Sequence, residues 1–124
     1  VASSLESYVA AWVAQDSELI ASAVALDCVI TECYGPVYRG RDTVRRWAGA
    51  WFGAGGTIHR WEITDLIVAG DREVAQWTFE CTFGGVRSTF DGATVAHAAD
   101  GLITNLREYQ TTAELYDWDG TWRE

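Results

Sequence analysis

"REVAQWTFECTFGGVRSTFDGATVAHAADGLITNLREYQ", residues 72–110, decides how this chain folds. Ala75, Trp77, Phe79, Cys81 and Phe83 alternate with Val74, Gln76, Thr78, Glu80 and Thr82, the period of two that marks a strand with one buried face. Gly84-Gly85 turns the chain into a further strand, "VRSTFDGATVAHAA", and Asp100-Gly101 is a strong hairpin signal before the last one, "LITNLREYQTTAEL". Upstream, "TIHRWEITDLIVAG" supplies a strand that turns at Gly70-Asp71. Together these four strands read as an antiparallel meander.

The residues before the meander read differently. Leu5, Tyr8, Val9 and Trp12 form a stripe at helical spacing, and Ser3 with Glu6 three residues on makes a capping box. Asp16-Ser17-Glu18 restarts a short helix through Leu19, Ile20, Ala23 and Val24. Cys28, Ile30, Glu32 and Tyr34 then alternate along a strand that breaks at Gly35-Pro36. "RGRDTVRRWAGAWF" gives a third helix, capped by Asp42 or Thr43, with Val44, Trp47, Ala48 and Trp51 on its buried side. The order α-α-β-α-β-β-β-β predicts an α+β fold: three N-terminal helices packed on a strongly curved, mostly antiparallel sheet, a cone-shaped barrel with an apolar mouth.

The 124 residues are expected to form a single domain, 1–124, large enough for a core without metal or disulfide staples. The net charge of −9 repels phosphate backbones and anionic lipid, which speaks against nucleic-acid and membrane partners. Cys28, Cys33 and Cys81 show no disulfide framework and no metal spacing. They read as small apolar residues in a reducing compartment. No signal peptide and no apolar run near membrane length is read, so a cytoplasmic location is the default expectation. No phosphate loop or His/Asp/Glu metal pattern is found, so no cofactor and no metal are expected.

Glu32 raises the question of function. A carboxylate at the end of a strand either sits in water at the sheet margin or is buried for a purpose. Seven tryptophans in so short a chain either pack a core or line a cavity. His59, in phase with Trp61 and Ile63, reads as a partly exposed strand residue. His97, in phase with Asp91, Ala93 and Val95, is the better histidine for proton transfer if its parity turns it inward.

Four stretches, "YVAAWVAQDSELIASAVALDCVITE", "YRGRDTVRRW", "AQWTFECTF" and "FDGATVAHAADGLITNLREY", taken in order, resemble the nuclear transport factor 2-like superfamily. The resemblance is nearest to its SnoaL-like and ketosteroid-isomerase-like members. It implies a Tyr on the first helix that holds a substrate oxygen and an acid at the end of the first strand that moves a proton. Tyr8 and Glu32, 24 residues apart, match that pair. The isomerases' second, protonated acid lies on the third late strand, where Asp91 stands one residue pair early and Ala93 takes the matching place. Asp91-Gly92 also reads as a bulge or a strand start. Limonene epoxide hydrolases of this fold carry an acid where Glu108 stands in "LREY", but their Arg and Asp partners are missing here.

The reading is therefore a cofactor-free acid/base enzyme, an isomerase, cyclase or dehydratase. It would act on a small apolar or aromatic carbonyl compound held in a cone lined by Trp12, Trp47, Trp61, Trp77, Phe79 and Phe90. Glu32 is the expected base, with Tyr8 and Tyr34 as donors and Glu108, Asp91 and His97 as further acid/base candidates. The alternatives are a non-catalytic ligand-binding or dimerisation domain, and a hydrolase that adds water through Glu108. A homodimer through the outer sheet face is expected, using the even positions of "TIHRWEIT" and "EVAQWTFE".

Overall fold

The computed structural model describes residues 2–123. Its elements are α1 (Ser4–Val13), α2 (Ser17–Ser22), β1 (Val24–Thr31), β2 (Val37–Arg39), α3 (Arg41–Gly53), β3 (Thr57–Ala69), β4 (Arg72–Phe83), β5 (Val86–Ala99) and β6 (Leu102–Gln110). The strands form one six-stranded sheet in the order β2-β1-β6-β5-β4-β3. Only the β1–β6 pairing is parallel. The sheet curves around the helices without closing, because β2 and β3 remain edges. The expected α+β order holds, with one strand more than the sequence suggested.

The extra strand follows from the Gly35-Pro36 break. Glu32 N–H donates to the Pro36 carbonyl at 2.9 Å, and Gly35 N–H returns to the Glu32 carbonyl at 3.0 Å. This tight turn sends β2 back along β1, with Ile30 opposite Tyr38. β1 also begins earlier than expected, since α2 stops at Ser22 and Val24 is already in the strand. The third helix is capped by neither Asp42 nor Thr43. Its N-cap is Gly40, at φ 89°, a left-handed conformation that glycine adopts without Cβ strain.

α1 keeps its predicted Ser3–Glu6 capping box. It also has a partner that sequence spacing could not show. Glu73, only 4% exposed, points up from β4, and its Oε1 accepts the Leu5 N–H at 2.9 Å. A carboxylate under a helix N-terminus satisfies one of the free N–H groups and complements the helix dipole. Removing it by Glu73→Ala strands a buried donor and opens a hole, so a loss of about 2–3 kcal/mol is expected in chemical denaturation. Glu73→Gln, which can still accept, should lose less. Equal midpoints for Glu73→Ala and the wild type would show that the contact carries no weight.

Three irregularities set which side chains face the helices. β3 carries a bulge at His59 and another at Thr64. Each shifts the parity by one, so Ile58, Trp61, Ile63 and Leu66 all turn to the core while His59 and Arg60 face water. His59 therefore leaves the phase of Trp61, and its Nε2 lies 2.7 Å from the Thr82 hydroxyl. Ile58 is likewise buried and does not belong to the outer face. The third irregularity lies in β6, where Thr104 is the extra residue between the His97–Asn105 and Ala98–Ile103 pairs. It places Glu108 opposite Thr94, itself buried, and so on the inner face.

The core joins Leu5, Tyr8 and Trp12 of α1 to Ile30, Val44, Ala48, Ile103 and Leu106. Burying a Leu or Ile fully contributes about 1.5–3 kcal/mol over leaving it in water. Gly92 is a packing requirement of this sheet. It stands opposite Trp77, and a Cβ there would lie 2.4 Å from the indole and 2.4 Å from the Tyr109 carbonyl. Among the described residues no helix is long and apolar enough to cross a membrane.

Candidate active site

Between α1, α3, the turn at 32–36 and the inner sheet face lies a cavity of about 580 Å³. Five of the seven tryptophans line it and leave it open, while Trp118 and Trp122 are exposed in the C-terminal tail. Every expected wall residue borders it: Trp12, Tyr34, Trp47, Trp61, Trp77, Phe79 and Phe90. Tyr8, Glu32 and Glu108 border it too. Residues the sequence reading passed over complete the lining, among them Tyr38, Trp51, Cys33, Cys81 and Ser88.

Two candidates are not brought there. Asp91 is exposed on the outer face, where it accepts from the Thr78 hydroxyl at 2.8 Å. His97 lies on the same face, in register with Arg72 and Asn105. The expectation that His97 turns inward is corrected by the hairpin. A two-residue turn pairs Phe83 with Val86, so odd positions of β4 face even positions of β5. With Trp77 inside, the inner positions of β5 are Ser88, Phe90, Thr94 and Ala96.

Glu32 sits just past the end of β1, and its Oε1 accepts the Tyr38 hydroxyl at 2.9 Å. Burial raises its pKa, and the Tyr38 hydrogen bond works against that rise. Tyr38 is held for this task, stacked on Trp47 with ring centroids 3.9 Å apart and planes 8° from parallel. Trp47 in turn meets Trp12 at 4.7 Å. Tyr34, the donor expected from sequence, instead stands 60% exposed at the mouth, edge-on to Phe90. The clue to Tyr38 was the Gly35-Pro36 turn, which folds β2 beside Glu32.

Glu108 is the neighbour of Glu32 across the parallel pair, since Thr31 is matched with Arg107. Burial, and then the charge of Glu32, pushes its pKa up to about 8. No hydrogen bond among the described residues offsets this shift. At neutral pH the cavity thus holds a mostly protonated Glu108 beside Glu32, whose own pKa burial also raises. Two carboxyl groups whose environments push their pKa values apart are the arrangement from which acid and base roles arise.

Tyr8 lies at the cavity's floor with no exposed surface. Its pKa is driven well above the ordinary phenol value, first by burial and next by the charge of Glu108. It remains a neutral phenol, and the Trp12 side chain beside its hydroxyl counters part of the rise. Tyr8 and Glu32 do not bond to each other; Tyr38 occupies that place. Among the described residues no group of three or more His, Cys, Asp or Glu gathers to hold a metal ion.

Tyr38→Phe should remove the interaction that restrains Glu32, so the Glu32 pKa is expected to rise. The acidic limb of any Glu32-dependent rate would then move to higher pH. An unmoved limb would show that this hydrogen bond does not set the carboxylate's protonation.

Comparisons with known proteins agree with this architecture. No curated protein matches the chain. Among solved structures, a protein with a ketosteroid isomerase-like fold from Catenulispora acidiphila, in complex with trimethylamine, is 19% identical. That match covers 86% of this chain and 83% of the other, with a TM-score of 0.75. An epoxide hydrolase of the LEH-like type from M. tuberculosis is 20% identical over 87% of this chain and 80% of its own, with a TM-score of 0.78. A candidate polyketide cyclase from Xanthomonas campestris pv. campestris is 17% identical over 86% of both chains, with a TM-score of 0.70. These likenesses show a shared fold. The family model described as the SnoaL-like domain matches residues 5–106, and with most of its length so matched the chain belongs to the SnoaL-like domain family.

Proposed function

We propose that this protein is a cofactor-free acid/base enzyme that moves a proton next to the carbonyl of a small, largely apolar molecule. The observation that carries this reading is the Glu32–Glu108 pair, one just past the end of β1 and the other on the adjacent parallel β6, inside an aromatic cavity with Glu108 shifted to about 8. The Glu32 carboxylate takes the proton alpha to the carbonyl, and the electron pair left on carbon delocalises onto the carbonyl oxygen. The Tyr8 hydroxyl donates to that oxygen as negative charge grows on it. Glu108, neutral below about pH 8, is the acid from which a proton can be returned. The aromatic walls exclude water, which strengthens each of these interactions. Isomerisation, cyclisation and dehydration share this first step.

Proton exchange tests the reading without knowledge of the natural substrate. In deuterium oxide, a panel of apolar ketones should gain alpha deuterium faster with the protein than without. The rate is expected to rise with pH as Glu32 ionises and to fall again around 8 as Glu108 loses its proton. The two limbs belong to the coupled pair. No exchange above the protein-free rate across the panel would overturn the proposal.

A second reading draws on the same pair. Glu108 as acid on an epoxide oxygen and Glu32 as base on a water would open an epoxide, and an epoxide hydrolase shares the fold. Formation of a diol labelled from ¹⁸O water, without alpha exchange of any ketone, would favour it.

A further inference from the structure

The cavity opens where β6 stops. β6 pairs with β5 only as far as Gly92, while β5 runs on to Val86 against β4. Across this gap Tyr34 meets Phe90 edge-on at 6.3 Å. The rim is apolar yet in water: Tyr34, Phe83 and Val86 border the cavity and all three are exposed.

The chain leaves the sheet at this rim. Thr111, the residue after β6, is held by the Asp91 carbonyl, which accepts both its N–H and its hydroxyl at 2.9 Å. Among the described residues no hydrogen bond or ion pair ties 112–123 to the sheet or the helices. The segment is built all the same. Asp119 accepts the Thr121 N–H and hydroxyl in a turn at Gly120, and Trp118 and Trp122 meet across it with ring centroids 5.2 Å apart. The Arg123 guanidinium lies over the Tyr116 ring at 4.4 Å. Leu115, Trp118 and Trp122 stay exposed. Apolar groups gathered in water mark an interaction surface.

We propose that residues 112–123 are a strap, hinged at Thr111, that closes the cavity mouth and makes Trp118 and Trp122 its outer wall. The strap docks on Tyr34, Phe83 and Val86 of its own chain. Its reach suffices: Trp118 lies seven residues past Thr111, a tether of up to about 23 Å at about 3.3 Å per residue. A tether of this length holds the tryptophans near the mouth at an effective concentration on the order of millimolar, which favours the same chain over a neighbouring copy. A segment without hydrogen bonds to the body swings without breaking sheet pairing. The arrangement described above is the open one, and closure shuts water out of the cavity. This inference goes beyond the proposed function and does not depend on its chemistry, because a closing mouth serves any ligand of the cavity.

Two cysteines report on closure without a natural ligand. Cys33 and Cys81 border the cavity, whereas Cys28 is buried in the core away from it. The full chain is alkylated with N-phenylmaleimide, a neutral flat reagent, and each cysteine is followed by peptide mass spectrometry. The comparison is the double variant Trp118→Ser with Trp122→Ser, which keeps the length and charge of the tail. Cys33 and Cys81 are expected to react about tenfold faster in the variant, the ratio for a wild-type mouth open about one-tenth of the time. A chain ended at Thr112 should react at the variant's rate. Cys28 should stay unreactive in all three, and the wild-type protection should not change on dilution.

No acceleration at Cys33 and Cys81 would overturn the inference. So would an acceleration that extends to Cys28, because a loosened core would then account for it. Protection that fades on dilution would also overturn it, by assigning the tail to a neighbouring copy. The outcome separates from that of the proposed function. Equal thiol rates would leave the acid/base chemistry standing, and absent alpha exchange would leave the strap standing.

Discussion

Glu32→Gln is expected to lower the alpha-exchange rate of a responsive ketone by about a thousandfold, within the range that a positioned general base contributes. Gln has the shape of Glu, and its oxygen can still accept the Tyr38 hydroxyl that now reaches Glu32 at 2.9 Å. What it lacks is a basic oxygen. Folding should therefore survive, and the loss should appear in turnover rather than in ligand affinity. Glu32→Asp keeps the base and shortens its reach by one methylene, so it should fall between the two. A Glu32→Gln protein within tenfold of wild type would remove Glu32 from the mechanism.

Glu108→Gln is expected to make the protein more stable, increasingly so as pH rises above about 4.5. In the folded chain Glu108 keeps its proton up to about 8, whereas an unfolded chain loses it near the ordinary 4.5. Between those values the folded state binds more protons than the unfolded state, so stability falls as pH rises across the window. The full cost is roughly 3–5 kcal/mol once the group is ionised, at 1.36 kcal/mol per pKa unit. Below about 4.5 both states hold the proton and the cost vanishes. Glu108→Gln removes the titration. Its denaturation midpoint should match the wild type at low pH and exceed it increasingly up to pH 9. The same change should erase the descending limb of the exchange profile. A stabilised variant with lost activity is the pattern expected where a site holds a carboxyl group in an unfavourable environment for chemical use. Parallel stability curves for the two proteins would show that Glu108 titrates normally.

The sheet's last three strands were legible because their alternation is strict and their glycine turns are short. Tyr8 and Glu32 were legible for related reasons: one lies on a helical stripe, the other ends a strand whose partners are apolar. The errors came from register. On the alternation of its own strand His97 reads as able to turn inward, and Asp91, a candidate by resemblance, shares its phase. The two-residue turn at Gly84-Gly85 reverses parity between β4 and β5, which sends both to the outer face. His59 was misphased because the bulges of β3 leave no mark in composition. Glu108 shows the same lesson with the opposite result. Were Thr104 paired regularly with His97, Glu108 would stand opposite Ala93 and face solvent, and one bulge turns it into the cavity. Tyr38 was missed because β2 is only three residues long, too short for periodicity to reveal. The shift of Glu108 and the cap by Glu73 depend on residues distant in sequence, and no local pattern encodes them.

The most direct test of the acid/base pair is a titration of the Glu32 and Glu108 side-chain carboxyl carbons by ¹³C NMR in the wild-type protein. The account predicts that Glu108 titrates near 8 and that Glu32 titrates above an ordinary carboxyl, with each transition sensing the other. Two independent transitions at the ordinary value near 4.5 would contradict it, because both groups would then be plain solvated acids at the edge of an aromatic cavity.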